Sequence, residues 1–133
     1  MGIDHRPADR LLRLTERGSA ILEGAVALAV AFLLLTLLIQ VGFAVAARNA
    51  AEASVAAAAR RAARPGAHPA LEEAALSELL RSSLPGIEGL SVDVRVSPQT
   101  VEASASFLWQ PPGPRWIPLA IRVTAVAPRS VPP

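Results

Sequence analysis

A carboxylate stands near the beginning of the most apolar part of this sequence. Glu23 lies in a 28-residue stretch, from Ala20 to Ala47, whose only other polar side chains are Thr36 and Gln40. A charged side chain at the centre of a bilayer costs about 2.5–3.5 kcal/mol on insertion scales, and less near the interface, so such a residue usually has a partner or a role. We therefore expect Glu23 to require a counter-charge.

The residues that precede Glu23 offer one source of that counter-charge. Arg17, Gly18 and Ser19 lead into the apolar stretch, and Glu23 follows Gly18 by five positions. If the chain were cut after Gly18, Ser19 would carry a new α-amino group four residues before Glu23, on the same face of a helix. The amine and the carboxylate could then compensate each other, between neighbouring subunits if their helices are staggered.

This arrangement resembles the processing signal of type IV prepilins and, more narrowly, the TadE-like minor pilins or pseudopilins of the Tad (Flp) pilus. Gly18 matches the last leader residue, Ser19 the mature N-terminus, and Glu23 the glutamate at the start of the apolar helix. The layout is also similar: an apolar helix, an alanine-rich continuation and a small β-rich domain. One position differs. Flp-type and many TadE-like sequences have an aromatic residue directly after the glutamate, whereas this chain has Gly24, which argues against a major pilin.

The resemblance implies a function in assembly. A prepilin peptidase would remove residues 1–18, and the mature chain would be a single-pass protein of the cell membrane with a cytoplasmic N-terminus and an extracytoplasmic C-terminal domain. Its partners would be the lipid bilayer, other pilin or pseudopilin subunits and the Tad assembly proteins. It would either enter the pilus or remain at its base. The resemblance implies no cofactor, no nucleic acid and no small-molecule substrate.

Composition argues against several other classes of function. Thirteen basic and eleven acidic residues give a formal net charge of +2, too small for an electrostatically driven nucleic-acid binder. The sequence has no Cys and two His, so disulfides, thiolate zinc sites and Cys nucleophiles are excluded and a protein-ligated metal site is not expected. No combination of nucleophile, base and orienting carboxylate is recognisable, and no Gly-rich phosphate loop occurs. We therefore predict no enzymatic activity.

The element that must position Gly18 and Glu23 is a long helix. At about 1.5 Å per residue the apolar stretch would extend ~42 Å, more than the ~30 Å hydrocarbon core of a bilayer. We predict a transmembrane helix at 19–47 that tilts or projects from the membrane. Residues 48–64 contain no Gly or Pro and should continue this helix until Pro65 and Gly66 end it, giving roughly 45 residues in all.

Two simpler interpretations of this helix remain open. A secretory signal peptide could be cut near Ala44-Val45-Ala46, but its apolar core would be ~7–15 residues, about half of what is seen. A plain signal anchor would let Glu23 reach the headgroups and would hold a permanently anchored extracytoplasmic binding domain with no assembly function. The positive-inside rule does not decide the orientation, because four Arg precede the span and four follow it.

A stripe of small residues follows the second half of the predicted helix. Its members recur at spacings of three and four: Ala44, Ala47, Ala51, Ser54 and Ala58. Small side chains let helix backbones approach closely. The stripe therefore predicts packing against neighbouring helices or against the protein's own head domain, unless it only reflects the abundance of alanine.

Residues 65–127 are predicted to form a small extracytoplasmic α+β domain. A second helix, with leucines from Leu71 to Leu84, should run between two Pro-Gly breaks, and its acidic first turn, Glu72 and Glu73, should complement the helix dipole. Alternating segments then predict strands at 91–97, 100–109 and 119–127. On the second and third strands the residues expected to share the inward face are Val101, Ala103, Ala105 and Phe107, and Leu119, Ile121, Val123 and Ala125.

The predicted fold class is therefore α+β: a long N-terminal transmembrane helix that continues into an extracytoplasmic helix, a second short helix and a small three-stranded antiparallel sheet. A core of this size is marginal, so the domain should depend on the long helix or on a partner subunit. Trp109 and Trp116 flank a proline-rich connection and should cap the core. Residues 128–133 should be a disordered tail.

Overall fold

The computed structural model describes residues 6–113 and 118–129. Within those ranges the chain is α+β, with two helices and one three-stranded antiparallel sheet of strand order β1-β2-β3. In chain order the elements are α1 (Arg6–Ala62), α2 (Pro69–Ser83), β1 (Ile87–Val96), β2 (Thr100–Trp109) and β3 (Leu119–Pro128). The predicted class and order of elements are confirmed at this level. The chain divides into two compact units, Met1–Ile39 and Gln40–Pro133, and α1 contributes to both.

The first unit contains the apolar part of α1. Its most apolar 18-residue window has a mean hydropathy of 2.6, and none of that window is buried within the described chain. Large side chains such as Ile21, Phe32 and Leu38 are each more than 60% exposed. One helix near the N-terminus is thus long and apolar enough to cross a membrane. It begins at Arg6, well before residue 19, because Pro7 suits a first turn and the residues after it are mostly good helix formers.

The second unit has a core built from both helices and one face of the sheet. The end of α1 supplies small buried side chains, and α2 supplies Leu76 and Leu80, which are fully buried. The end of α1 thus shares one core with α2 and the sheet; that the small domain depends on the long helix or on a partner subunit stays a prediction. The buried residues that α1 contributes are Ala47, Ala51, Val55, Ala58, Ala59 and Ala62.

The two later strands follow their predicted alternation. On β2, the central strand, Val101, Ala103, Ala105 and Phe107 are all buried, as expected. On β3, Ile121 and Val123 are buried, whereas Leu119 is exposed and Ala125 half-buried. The predicted face of β3 is thus buried at its middle and more open at Leu119.

The first strand starts four residues earlier than predicted. β1 begins at Ile87, and its pairing with β2 shifts register between Glu88 and Ser91, where Gly89 has φ +61°. A bulge of this kind adds a residue to one strand and breaks the two-residue period on which the prediction depended. Beyond the bulge, Val92, Val94 and Val96 lie opposite Ala105, Ala103 and Val101.

The boundary of the C-terminal tail also moves. β3 includes Pro128, and the Arg129 backbone N–H donates to the Gln99 carbonyl over 2.8 Å. The expected disorder therefore does not begin at Pro128, because the hairpin hydrogen bonds extend one residue beyond the strand. Residues 130–133 lie outside the described residues.

Trp109 caps the core as expected. Its side chain is buried, and its indole Nε1–H donates to the Pro85 carbonyl over 3.1 Å. This bond satisfies the polar end of a large apolar side chain and ties the end of β2 to the turn after α2. Trp116 lies outside the described residues.

An ion pair joins the end of α1 to the start of α2. The Arg61 Nε donates to a Glu72 carboxylate oxygen over 2.9 Å, with the two side chains 38% and 21% exposed. Sequence alone suggests that Arg61 is a solvated helix end and that Glu72 is a partner of the helix dipole. Glu72 does stand in the first turn of α2, but it also holds the two helices together across the Pro65-Gly66 break.

The turn between α2 and β1 requires a glycine. Gly86 has φ +88°, and a Cβ at this position would lie 2.8 Å from the Gln110 carbonyl oxygen. The same backbones are joined by a hydrogen bond from the Gln110 N–H to the Gly86 carbonyl, 3.1 Å long. Any side chain here must therefore adopt an unfavourable backbone conformation and displace the start of the connection after β2.

We predict that Gly86→Ala destabilises the small α+β domain of residues 65–127, called the head below, more than Gly66→Ala does. Gly66 also has a positive φ, +78°, but nothing lies within 4 Å of a Cβ built there, so that variant bears only the left-handed penalty of about 1–2 kcal/mol. Gly86→Ala adds the clash with Gln110. Thermal unfolding of the full chain in detergent, followed by near-ultraviolet circular dichroism, should give a clearly lower Tm for Gly86→Ala. Equal Tm values would contradict this account of the turn.

Candidate processing and assembly site

The three residues of the predicted processing signal lie on one continuous helix. Gly18, Ser19 and Glu23 are all in α1 and all exposed. Ser19 and Glu23 are one helical turn apart, with about 6 Å of rise between them, on the same side of the helix. The spacing deduced from the sequence is therefore realised as a shared helix face.

Glu23 has no partner among the side chains that the structure describes. The described ion pairs are Arg48–Glu52, Arg61–Glu72 and Arg95–Asp93. The apolar side chains around Glu23, such as Ile21, Leu22 and Val26, are more than half exposed. The carboxylate thus stands on a bare apolar helix, available to a group outside the folded chain.

Gly18 is not required by the packing of the described chain. A Cβ at this position would meet nothing within 4 Å, and Gly18 has an ordinary helical backbone rather than a positive φ. Glycine inside a helix costs about 0.8–1.0 kcal/mol relative to alanine. Gly24 and Gly42 are equally open. The fold therefore gives no structural reason for any of these three glycines.

The small-residue stripe packs against the protein's own head domain. Ala47, Ala51 and Ala58 are buried in the common core, and Ala44 packs partly against it. Of the roles that sequence suggests, contact with the head is the one seen within a single chain. Contact with neighbouring helices stays a prediction for these residues, although the side chains of Ala47, Ala51 and Ala58 are already buried within the chain.

Ser54 does not belong to the buried stripe. It is half-buried, and its hydroxyl donates to the Ala50 carbonyl one turn earlier, over 2.8 Å. Val55 takes its place in the core and is fully buried. The signal that could have identified Val55 is its spacing, since it follows Ala51 by four residues and precedes Ala58 by three, as an apolar stripe requires.

Comparisons with models of protein families, with curated proteins and with solved structures found no match to this chain. The functional argument therefore depends on the residues and geometry described above.

We predict that Ala51→Leu destabilises the second unit and that Ala53→Leu does not. Ala51 is fully buried whereas Ala53 is exposed on the same helix, so both variants bear the same small loss of helix propensity but only Ala51→Leu overpacks the core. Overpacking costs typically about 1–3 kcal/mol. Thermal unfolding of the two full-length variants in detergent should separate them by several degrees. If Ala51→Leu matched Ala53→Leu, the packing of α1 against the head would be disproved.

Proposed function

We propose that this chain is a TadE-like membrane-anchored pseudopilin or minor pilin, which takes part in assembly of a Tad (Flp) pilus or a related secretion machine. In this proposal residues 1–18 are a leader, α1 crosses the cell membrane once between residues 19 and 47, and residues 65–127 form an extracytoplasmic domain. A prepilin peptidase cuts after Gly18. Other pilin-like subunits and Tad assembly proteins are the partners.

The observation that carries the proposal is the placement of Glu23. An exposed carboxylate on an apolar helix, without a partner among the described side chains, is expensive in lipid unless a positive charge comes from elsewhere. Cleavage before Ser19 would place an α-ammonium group one turn from it. That group could pair with Glu23 of the same chain or of a staggered neighbour.

The difference in burial between the two parts of α1 also supports a function in assembly. The small residues near the end of α1 are buried in the core of the second unit, whereas the large apolar residues from Ile21 to Val45 are 40–73% exposed. The open glycines Gly18, Gly24 and Gly42 would let partners approach α1 closely.

We predict that the mature protein begins at Ser19 and that Gly18→Val blocks this processing. A branched side chain next to the scissile bond obstructs a peptidase that accepts glycine there. Gly24→Val is the matched control, because Gly24 is equally open on α1 but lies beyond the cut. N-terminal sequencing of protein purified from the native membrane should find Ser19 in the wild type and in Gly24→Val only. An uncut N-terminus in the wild type would favour the plain signal anchor.

We predict that Glu23→Ala and Glu23→Gln insert into the membrane at wild-type levels or better but abolish pilus assembly. Removal of the charge lowers the insertion cost and at the same time removes the partner of the new α-amino group. Thr36→Ala is the control within the same span. The Thr36 hydroxyl donates to the Phe32 carbonyl over 2.8 Å. Because that carbonyl also accepts a backbone N–H within the helix, loss of the hydroxyl leaves no group without a hydrogen bond.

The measurement is the number of pili on cells in which each variant replaces the native gene, together with the amount of protein in the membrane fraction. Thr36→Ala should resemble the wild type in both. Normal pilus numbers with Glu23→Ala would eliminate the role of an amine and carboxylate pair in assembly, whatever the outcome of N-terminal sequencing.

A further inference from the structure

An open apolar cleft of about 610 Å³ lies in the second unit. One wall is α1, with Phe43, Ala46 and Ala50. The opposite wall is formed by Leu84, after α2, and by Trp109 and Pro112 at the end of β2. The volume lies within the ~300–1,000 Å³ of typical small-molecule pockets.

The polar groups around the cleft are largely occupied by bonds within the protein. The Ser83 hydroxyl donates to the Leu79 carbonyl over 2.6 Å, and the Trp109 indole N–H donates to the Pro85 carbonyl. The Gly86 carbonyl accepts the Gln110 backbone N–H. No charged residue is among the described residues that line the cleft. A cleft with these walls favours an apolar ligand over a peptide backbone, which would need hydrogen-bond partners.

The length of a membrane span indicates where the cleft lies relative to the bilayer. A helix needs about 20 residues to cross the hydrocarbon core, and a span that keeps Glu23 at one interface starts at Gly24. Counting from Gly24, such a span ends near Phe43, which is a wall of the cleft. Any tilt of α1 lengthens the path through the hydrocarbon and moves the boundary towards Ala46 and Ala50.

A second contact brings the connection after β2 to the same depth. A Cβ built on Gly113 would lie 3.3 Å from the Gln40 amide nitrogen, so the backbone at Gly113 lies directly against Gln40. Gln40 precedes Phe43 by about one turn. The Gln40 Oε1 is buried, without a hydrogen-bond partner in the described chain. The connection after β2 therefore packs against Gln40, a residue within the 20-residue span.

We infer that the cleft takes one acyl chain of a phospholipid from the leaflet on the side of the head. The inference depends on the proposed membrane anchorage of α1, but not on processing or pilus assembly. The apolar surface of α1 continues into the cleft at Phe43, which is itself 44% exposed. Lipid surrounds a lone span on every side, so this occupant needs no further component.

The test uses the fluorescence of Trp109, which lines the cleft. The chain has two tryptophans, and Trp116→Phe leaves Trp109 as the only one. The full-length Trp116→Phe protein is reconstituted at high dilution into phosphatidylcholine vesicles, with or without bromine atoms in the middle of the acyl chains. Bromine quenches indole emission only at short range, so Trp109 should lose most of its emission in the brominated vesicles.

Two variants fill the cleft and one control does not. Ala46 and Ala50 are exposed residues of the wall, and Ala53 is exposed on the same helix outside it. In the Trp116→Phe background, Ala46→Leu and Ala50→Leu should each restore much of the emission in brominated vesicles. Ala53→Leu should leave the quenching unchanged. Emission spectra in detergent check that all three variants keep Trp109 in its native environment.

Each other outcome overturns the inference in an identifiable way. Equal emission in both kinds of vesicle, from protein that resists extraction with alkaline carbonate, would show that no acyl chain enters the cleft while leaving anchorage intact. Quenching that the two leucine variants do not relieve would assign it to the bulk bilayer. Quenching that weakens as protein density rises would assign the cleft to a second copy of the chain. Release by carbonate would overturn the anchorage and the inference together.

Discussion

The structure depends on one packing arrangement: the small residues at the end of α1 against the inner face of a three-stranded sheet. Among the large side chains that the sheet and α2 bury, Leu76, Leu80 and Val101 are fully buried. Alanines at Ala47, Ala51 and Ala58 let the helix backbone approach the sheet closely, and Val55 fills the space between them. The buried residues at the end of α1 belong to the same core cluster as those of α2 and the sheet, so the helix is part of the domain core and not merely its tether.

The sequence predicted much of this fold because its periods are clear. The bounds of β2 match the prediction, since Val101 to Phe107 alternates without interruption, and the Pro-Gly pairs that flank α2 indicate its ends. Prediction failed where a local feature breaks the period. The bulge at Gly89 conceals the first part of β1. A stripe defined by small residues includes Ser54, whereas the core takes the apolar Val55 beside it. The ion pair of Arg61 with Glu72 could not be predicted, because it depends on how the Pro65-Gly66 break redirects the chain.

The candidate site was predictable only in part, for a physical reason. The i, i+4 relation of Ser19 and Glu23 follows from helix geometry and needs no tertiary structure. The partner of Glu23 does not follow from it, because the apolar residues around Glu23 are more than half exposed and the described side chains supply no partner there. In the proposed function the partner of Glu23 is the α-ammonium group that cleavage creates. Neither helix geometry nor the described contacts contain that group. The buried stripe gives the opposite case: its partner is the chain's own head, and the structure identifies it directly.

The geometry of Glu23 also constrains how assembly could be driven in the proposed mature chain. With Ser19 about 6 Å away along the helix axis, the α-ammonium group and the carboxylate are close enough to compensate each other within one chain while the protein waits in the membrane. Pairing between staggered chains would exchange this contact for an equivalent one and would leave the number of paired charges unchanged. The exchange alone then contributes little free energy, so the drive for association must come from the exposed apolar surface and open glycines of α1. Because each chain can keep its own pair, the charges alone do not exclude another stagger. In the proposed function, pairing with a neighbour is therefore favoured only at a stagger that the packing of the apolar surfaces also permits, and a chain without Glu23 would carry an unpaired ammonium group in a medium of low dielectric constant.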